Sequence, residues 1–332
     1  MSVNIDQVLE ETKKFAAQNP TILNAAVMSN EIVLNRYAKL IPKIRGEFAS
    51  VNSVMGHVVQ AFTPAWTEMA DVQFRGKQLK NYHQKVNFGF TPAEILGSWI
   101  QQKYDEGVEL KDKTISKHVM TMLSAKIISD VNILSVKGVR NDATPTVWLC
   151  SMDGLNKIHT DLLANTANPC FKIPTDAITS TNTLDVVLAF EKGIPEQYRD
   201  AIKDIKMSTT NAQNHKLLYE DTFGKNTDYK GDKGMRTRLG ERTIVGITGM
   251  NANQISATID GNFVRMIDVV ENPATITDVQ KLDYKIKVFG EFTLGYDYAV
   301  NELVMMSTSA IGAVRGLGDA ALNALYYPEE AL

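Results

Sequence analysis

The chain has 332 residues, of which 44% are hydrophobic and 22% charged, enough for one large core or two modest ones. Lys and Arg number 35 against 38 Asp and Glu, a formal charge of −3, and no segment carries a dense run of either sign. That balance argues against a dedicated nucleic-acid reader, which needs a basic face, and does not exclude a protein that merely surrounds DNA.

Residues 1–50 read as short helices punctuated by Pro20 and Pro42. Ile5, Val8 and Leu9 share one helical face, and Ile32, Val33, Arg36, Tyr37 and Leu40 mark a second amphipathic segment. Two readings stand side by side: an arm that finds its core on a neighbouring molecule, or an ordinary helical subdomain. The start of the chain, Met1 to Glu11, lacks a basic region followed by an apolar stretch, and no apolar run reaches the ~18 residues of a membrane span, so no membrane partner is expected.

From Val72 to Phe90 the period changes to two. Val72 and Phe74 alternate before the polar stretch Arg75 to Asn81, and Val86, Phe88 and Phe90 alternate after it, which predicts a hairpin with a polar tip. A two-stranded ribbon is not stable alone in water, so it packs on its own domain or across another subunit. Its basic residues Arg75, Lys77, Lys80 and Lys85 fit three roles: phosphate contact, a charged edge that deters stray strand pairing, or contact with an acidic surface of an identical subunit. We take the last, with Phe74 and Tyr82 adding apolar area to it.

Thr91-Pro92-Ala93-Glu94 is a helix start, with a capping threonine, proline at the first helical position and a glutamate to return the hydrogen bond. Ile95, Leu96, Trp99 and Ile100 form its apolar stripe. A longer helix is predicted over Lys113 to Lys137, with Ile115, Val119, Leu123, Ile127, Val131 and Leu134 on one side and Gly138 to end it. Leu184, Val187 and Leu188 open another helix that Gly193-Ile194-Pro195 closes, and Tyr198 to Ile205 suggests one more. Gly224 to Gly240, rich in Gly, Asp, Lys and Asn, reads as a long mobile loop.

The last third is β-rich. Ile255, Ala257 and Ile259 alternate up to the tight-turn pair Asp260-Gly261, and Phe263 to Ile267 continues beyond it. From Leu282 to Tyr298 every even position except Gly290 is apolar or aromatic, the pattern of a two-faced strand far longer than the usual ~17–20 Å, with a bend expected at Gly290 or a turn near Gly295.

No reaction centre emerges. His57, His83, His118, His159 and His215 lack metal-ligand spacing, Gly312, Gly316 and Gly318 do not make a dinucleotide fingerprint, and neither a Walker loop nor a nucleophile elbow occurs. Cys150 and Cys170 have no CxxC spacing and are expected to be free thiols in a reducing compartment. No cofactor, metal or enzymatic activity is expected.

The ordered set of elements resembles the major capsid proteins of tailed bacteriophages, of the Hong Kong 97 fold. Ile194 to Tyr198 with Ile205 to Thr209 looks like the helix and strand entering that fold's apical domain, and Leu218 to Gly224 like its next helix. Ile244 to Ile247, Ala257-Thr258, Asn262 to Val264 and Val288 to Phe292 are similar to its later strands. The resemblance covers roughly residues 50–310 and implies an α+β fold: N-terminal arm 1–50, extended hairpin loop 51–91, peripheral domain with spine helix 92–150, apical domain 151–253, and closing strands with the C-terminal segment 254–332.

It also implies that Lys225, Asp228, Lys230, Asp232, Lys233 and Arg236 sit near the capsomer axis as inter-subunit contacts. The implied function is a virion shell of pentamers and hexamers around double-stranded DNA, without sequence-specific binding and assembled in the host cytoplasm. A separate scaffolding protein, a portal and decoration proteins are the implied partners; Lys77 and Lys80 match no cross-linking motif, so assembly is expected to be non-covalent. The alternatives are an encapsulin-like nanocompartment of the same fold and a soluble α+β enzyme with a composed active site.

Overall fold

A computed structural model describes residues 5–69, 72–94, 115–224, 236–270, 274–310 and 312–330. Helices α1 (Ile5–Gln18) and α2 (Ile22–Val27) come first, then strands β1 (Lys39–Pro42), β2 (Glu47–Met55), β3 (Val72–Lys80) and β4 (Tyr82–Phe90). Helices α3 (Ile115–Lys137) and α4 (Leu155–Ala164) precede β5 (Phe171–Pro174), α5 (Thr183–Gly193), β6 (Asp204–Ser208) and α6 (Thr209–Phe223). Strands β7 (Thr243–Ile247), β8 (Ser256–Thr258), β9 (Phe263–Ile267), β10 (Thr275–Leu282), β11 (Lys285–Tyr298) and β12 (Val304–Thr308) follow, and α7 (Ala320–Tyr326) is the last helix.

The chain divides into two compact units. The first comprises residues 1–46, 81–134 and 265–295. Its core gathers Val8, Phe90, Val119, Met120, Val279, Ile286 and Val288, all buried. Thr12 of α1 is fully buried because its hydroxyl donates to the Val8 carbonyl (2.7 Å) and lies 2.9 Å from Ser116 Oγ. Helix α1 therefore buries Val8 and Thr12 within its own unit. The amphipathic segment expected from Ile32 to Leu40 is not a helix: a single 3-10 turn at Val33–Arg36 buries Leu34, and β1 begins at Lys39.

Helix α3 matches the predicted rod, 23 residues or roughly 35 Å at ~1.5 Å each. It is also long and apolar enough to cross a bilayer, contrary to the expectation that no run is. Val119, Ile127, Val131 and Leu134 are buried within the fold, so the apolar side of α3 serves a core. Pro92 to Glu94 are helical as the capping sequence requires; the stripe from Ile95 to Ile100 lies outside the described residues.

Strand β11 organises a sheet of order β1-β9-β11-β10, with β4 also paired to β11. The long two-faced strand expected from Leu282 is divided not at Gly290 or Gly295 but at Asp283-Tyr284, a two-residue turn closed by the Leu282↔Lys285 pair, where Asp283 takes φ 53°. Asparagine and aspartate tolerate that left-handed conformation better than most residues. Beyond the turn β11 continues as one strand through Gly290 and Gly295, and Ile286, Val288, Phe292, Leu294, Tyr296 and Tyr298 are buried, the even face the alternation predicts. Gly290 has a packing reason: a Cβ there would come within 3.1 Å of Leu23 Cδ2, and β10 shifts register opposite, between Ile276 and Asp278.

The second unit comprises residues 47–80, 135–264 and 296–332. A five-stranded sheet, β5-β12-β8-β6-β7, mixes parallel pairs (β5 with β12, β6 with β7) and antiparallel ones (β12 and β6 with β8). Phe171, Val187, Phe190, Ile205, Met207, Ile244, Ala257 and Met305 fill the core beside it. Helix α6 starts at an N-cap, Ser208 Oγ accepting from the Asn211 amide (3.3 Å), and α7 starts with Asp319 accepting from Ala321 (2.8 Å) and Leu322 (3.1 Å). The helix suggested over Tyr198 to Ile205 is instead a 3-10 turn at Glu196–Tyr198 followed by β6. Asp260-Gly261 does turn the chain, yet β8 and β9 on either side belong to different sheets.

Candidate assembly surface

The surface that stands apart chemically is a ribbon in the second unit. Strands β2 and β3 pair antiparallel over nine positions, from Glu47↔Lys80 to Met55↔Val72. This corrects the expected hairpin of residues 72–90: β3 pairs with β2, β4 pairs with β11, and Arg75 to Asn81 form a strand and its end, not a tip. The connection at the far end of the ribbon is residues 56–71.

The two faces of the ribbon differ. Outward lie Val51, Met55, Val72 and Phe74, all exposed, and the connection adds Val58, Val59, Phe62, Trp66 and Met69. Val59, Phe62 and Trp66 are 88%, 94% and 92% exposed. Large apolar side chains bared together in this way mark a contact surface. On the inward face Leu79 is buried, and between it and the far end lie Lys77 and Arg75.

Lys77 Nζ donates to Asp297 Oδ1 (2.6 Å), the Tyr298 carbonyl (2.6 Å) and Asn301 Oδ1 (2.7 Å). Burial pulls the Lys77 pKa down and pushes that of Asp297 up, while each charge works against the shift of the other. Arg75 donates to the Ala167 carbonyl (2.8 Å) and Asn168 Oδ1 (3.3 Å), and its guanidinium is 3.5 Å from Glu302. Opposite Arg75 in register, Asn52 donates to the Tyr326 hydroxyl (3.1 Å).

Of the contact residues expected from sequence, Phe74 lies on the outward face of the ribbon, whereas Arg75 and Lys77 are spent on partners in their own chain. Lys80 is exposed and pairs with Glu47 at 3.1 Å. Tyr82 and Lys85 belong to β4 in the other unit, opposite Leu294 and Glu291. Arg236 is exposed and bridges to Thr243; Lys225, Asp228, Lys230, Asp232 and Lys233 lie outside the described residues. The apolar connection was missed, although two aromatics within Val58 to Met69 that fit neither a helical nor a strand period were a signal available in the sequence.

Other polar burial is structural in character. Arg242 and Glu191, 2% and 0% exposed, form an ion pair at 2.8 Å, and Thr237 Oγ1 donates to the same carboxylate oxygen at 2.7 Å. His159 lies 2.9 Å from the Tyr298 hydroxyl, and burial lowers its pKa to about 3. His215 is lowered to about 4 for the same reason. Both cysteines are free, and burial raises the Cys170 thiol to about 11. Among the described residues no group of His, Cys, Asp and Glu could hold a metal ion. The small pocket between Asn24, Val27, Asp268 and Thr293 has room for roughly one water molecule.

No protein-family model and no curated protein matches the sequence. Solved structures do. The capsid of cyanophage A-1(L) aligns with a TM-score of 0.54 at 13% identity, covering 83% of this chain and 92% of that one. The capsid of an empty GTA particle aligns at 0.52 and 12% identity over 83% and 89%, and the capsid of Myoviridae phage XM1 at 0.51 and 10% over 81% and 87%. This is the Hong Kong 97 capsid fold.

Proposed function

We propose that the chain is a major capsid protein: identical copies form pentamers and hexamers that close into an icosahedral head around phage double-stranded DNA. The observation that carries this reading is the ribbon, anchored on one face by Lys77 and Arg75, with Val51, Met55, Val72 and Phe74 bare on the other and large apolar side chains bare at its tip. A single chain gains nothing from exposing Phe62 and Trp66, whereas a neighbouring copy that covers them recovers that burial for every subunit.

In this reading the ribbon, residues 47–80, is the extended loop. The first unit, with α3 and β10–β11, serves as the peripheral domain, and the five-stranded sheet of the second unit as the apical domain. Near-neutral charge suits the inside of a container. A separate scaffolding protein, a portal and decoration proteins complete the partners, and assembly takes place in the host cytoplasm. The shell function needs no cofactor and no catalysis.

The test is the size of the purified protein, by light scattering and negative-stain microscopy, with and without a scaffold candidate. Shells or five- and six-membered rings support the reading; a strict monomer or dimer at high concentration overturns it. Co-purified DNA-filled particles, rather than an enzyme cargo, separate a phage head from an encapsulin-like compartment.

A further inference from the structure

The inward face of the ribbon is fastened chiefly by polar contacts, with Leu79 buried at its base and Val54 packed against the core of the unit. Lys77 stands in the middle of β3, and its three ammonium protons match the three acceptors Asp297, Asn301 and the Tyr298 carbonyl. Its side chain is 18% exposed and that of Asp297 19%, so both sit at the margin of the unit rather than deep in its core. Arg75 and Asn52 add polar contacts on the same face, and Asn168 returns one to the Gly76 carbonyl at 3.1 Å.

We propose that the Lys77–Asp297 pair is a latch: the ribbon has a second, released position, and this contact holds it docked in the unassembled subunit. On release the apolar burial given up is that of Leu79 and Val54, two side chains among the polar contacts. A charged pair regains hydration when it separates, so the docked and released positions differ by far less than the strength of the individual contacts suggests. The outward face and the tip supply the opposing pull, since they gain burial only when the ribbon lies against another surface. The inference rests on the shell reading only for what draws the ribbon away; the released position belongs to the single chain. Lys77 is thus a positioning residue for the apolar tip.

The experiment uses the full-length chain with Cys150→Ser, nitroxide labels at His57→Cys beside the tip and Lys192→Cys on α5, and excess unlabelled protein so that only distances within one chain are read. Both labelled positions are exposed. Pulsed electron paramagnetic resonance should give one narrow distance for this parent. Lys77→Met and Asp297→Asn should each raise a second, broader distance at least about tenfold in population, a shift of ~1.4 kcal/mol. Lys77→Arg, which keeps the charge, should stay nearer the parent.

A single unchanged distance in both latch variants, with near-ultraviolet circular dichroism matching the parent, overturns the latch; so does a parent that is already broad. Should Lys77→Met fail to fold, Asp297→Asn, which keeps the side-chain shape, decides alone. Wild-type shells with unchanged distances in the variants sink only the latch, and a wild type that never assembles sinks only the shell reading.

Discussion

Replacing both tip aromatics, Phe62→Ser with Trp66→Ser, separates assembly from folding. The two side chains are 94% and 92% exposed, so the isolated subunit loses almost no burial when they go. An aromatic side chain hides ~150–250 Å² when fully covered, worth about 4–6 kcal/mol at ~25 cal/mol per Å². If a neighbour covers half of each, and ordering each side chain costs about 1 kcal/mol, the pair contributes ~3 kcal/mol per subunit. At ~1.4 kcal/mol per decade, the double variant should need roughly a hundredfold higher concentration to assemble. Light scattering over a dilution series reads that threshold, and urea unfolding of the unassembled subunit should give the wild-type midpoint. Assembly at the wild-type threshold, or an unfolding midpoint lowered as for a core residue, would refute the reasoning.

Arg242→Met leaves the Glu191 carboxylate buried without its guanidinium and should cost about 3–5 kcal/mol in urea unfolding, with much of that loss recovered in the Arg242→Met/Glu191→Gln pair. His159 and His215 are neutral when folded, with pKa values near 3 and 4 against 6.5 unfolded, so the unfolded chain binds more protons between those values. Stability should therefore be full above about pH 6.5 and fall on acidification toward pH 4, by up to about 1.4 kcal/mol per pH unit per histidine. His215→Phe should flatten part of that slope, measured as urea midpoints at pH 7, 5.5 and 4.5. Gly290→Val drives a branched side chain against Leu23 and should lower stability by about 1–3 kcal/mol in thermal unfolding, with the β10 register as the strained element.

Features governed by local periodicity were readable in the sequence. Helices α3 and α5 and the even buried face of β11 lie where spacing puts them, while the strands at Ile205 and Ile244 were expected from the family resemblance alone. Partner choice was not readable. Residues 72–90 carry two strands separated only by Asn81, which makes a hairpin the obvious reading, but β3 finds β2 seventeen residues or more upstream and β4 finds β11 some two hundred residues downstream. Nothing local encodes those pairings, because they are selected by the burial of Leu79 in one place and Phe90 in the other. The same reason hides the partners of the basic residues. Arg75 and Lys77 look like free surface charge until Asp297 and Glu302 arrive from the end of the chain to meet them. The Leu282 run was misjudged by one feature, since Asp283 adopts a turn that its parity hides.

Strand β11 spans 14 residues, about 46 Å at ~3.3 Å each, and is bonded along its length to β4, β9 and β10. Its antiparallel ladders with β4 and β10 place many backbone bonds side by side, so a pull along the strand must break them together rather than one after another. Along that direction the sheet is stiff and stretches little under load, so yielding would begin in the loops around it.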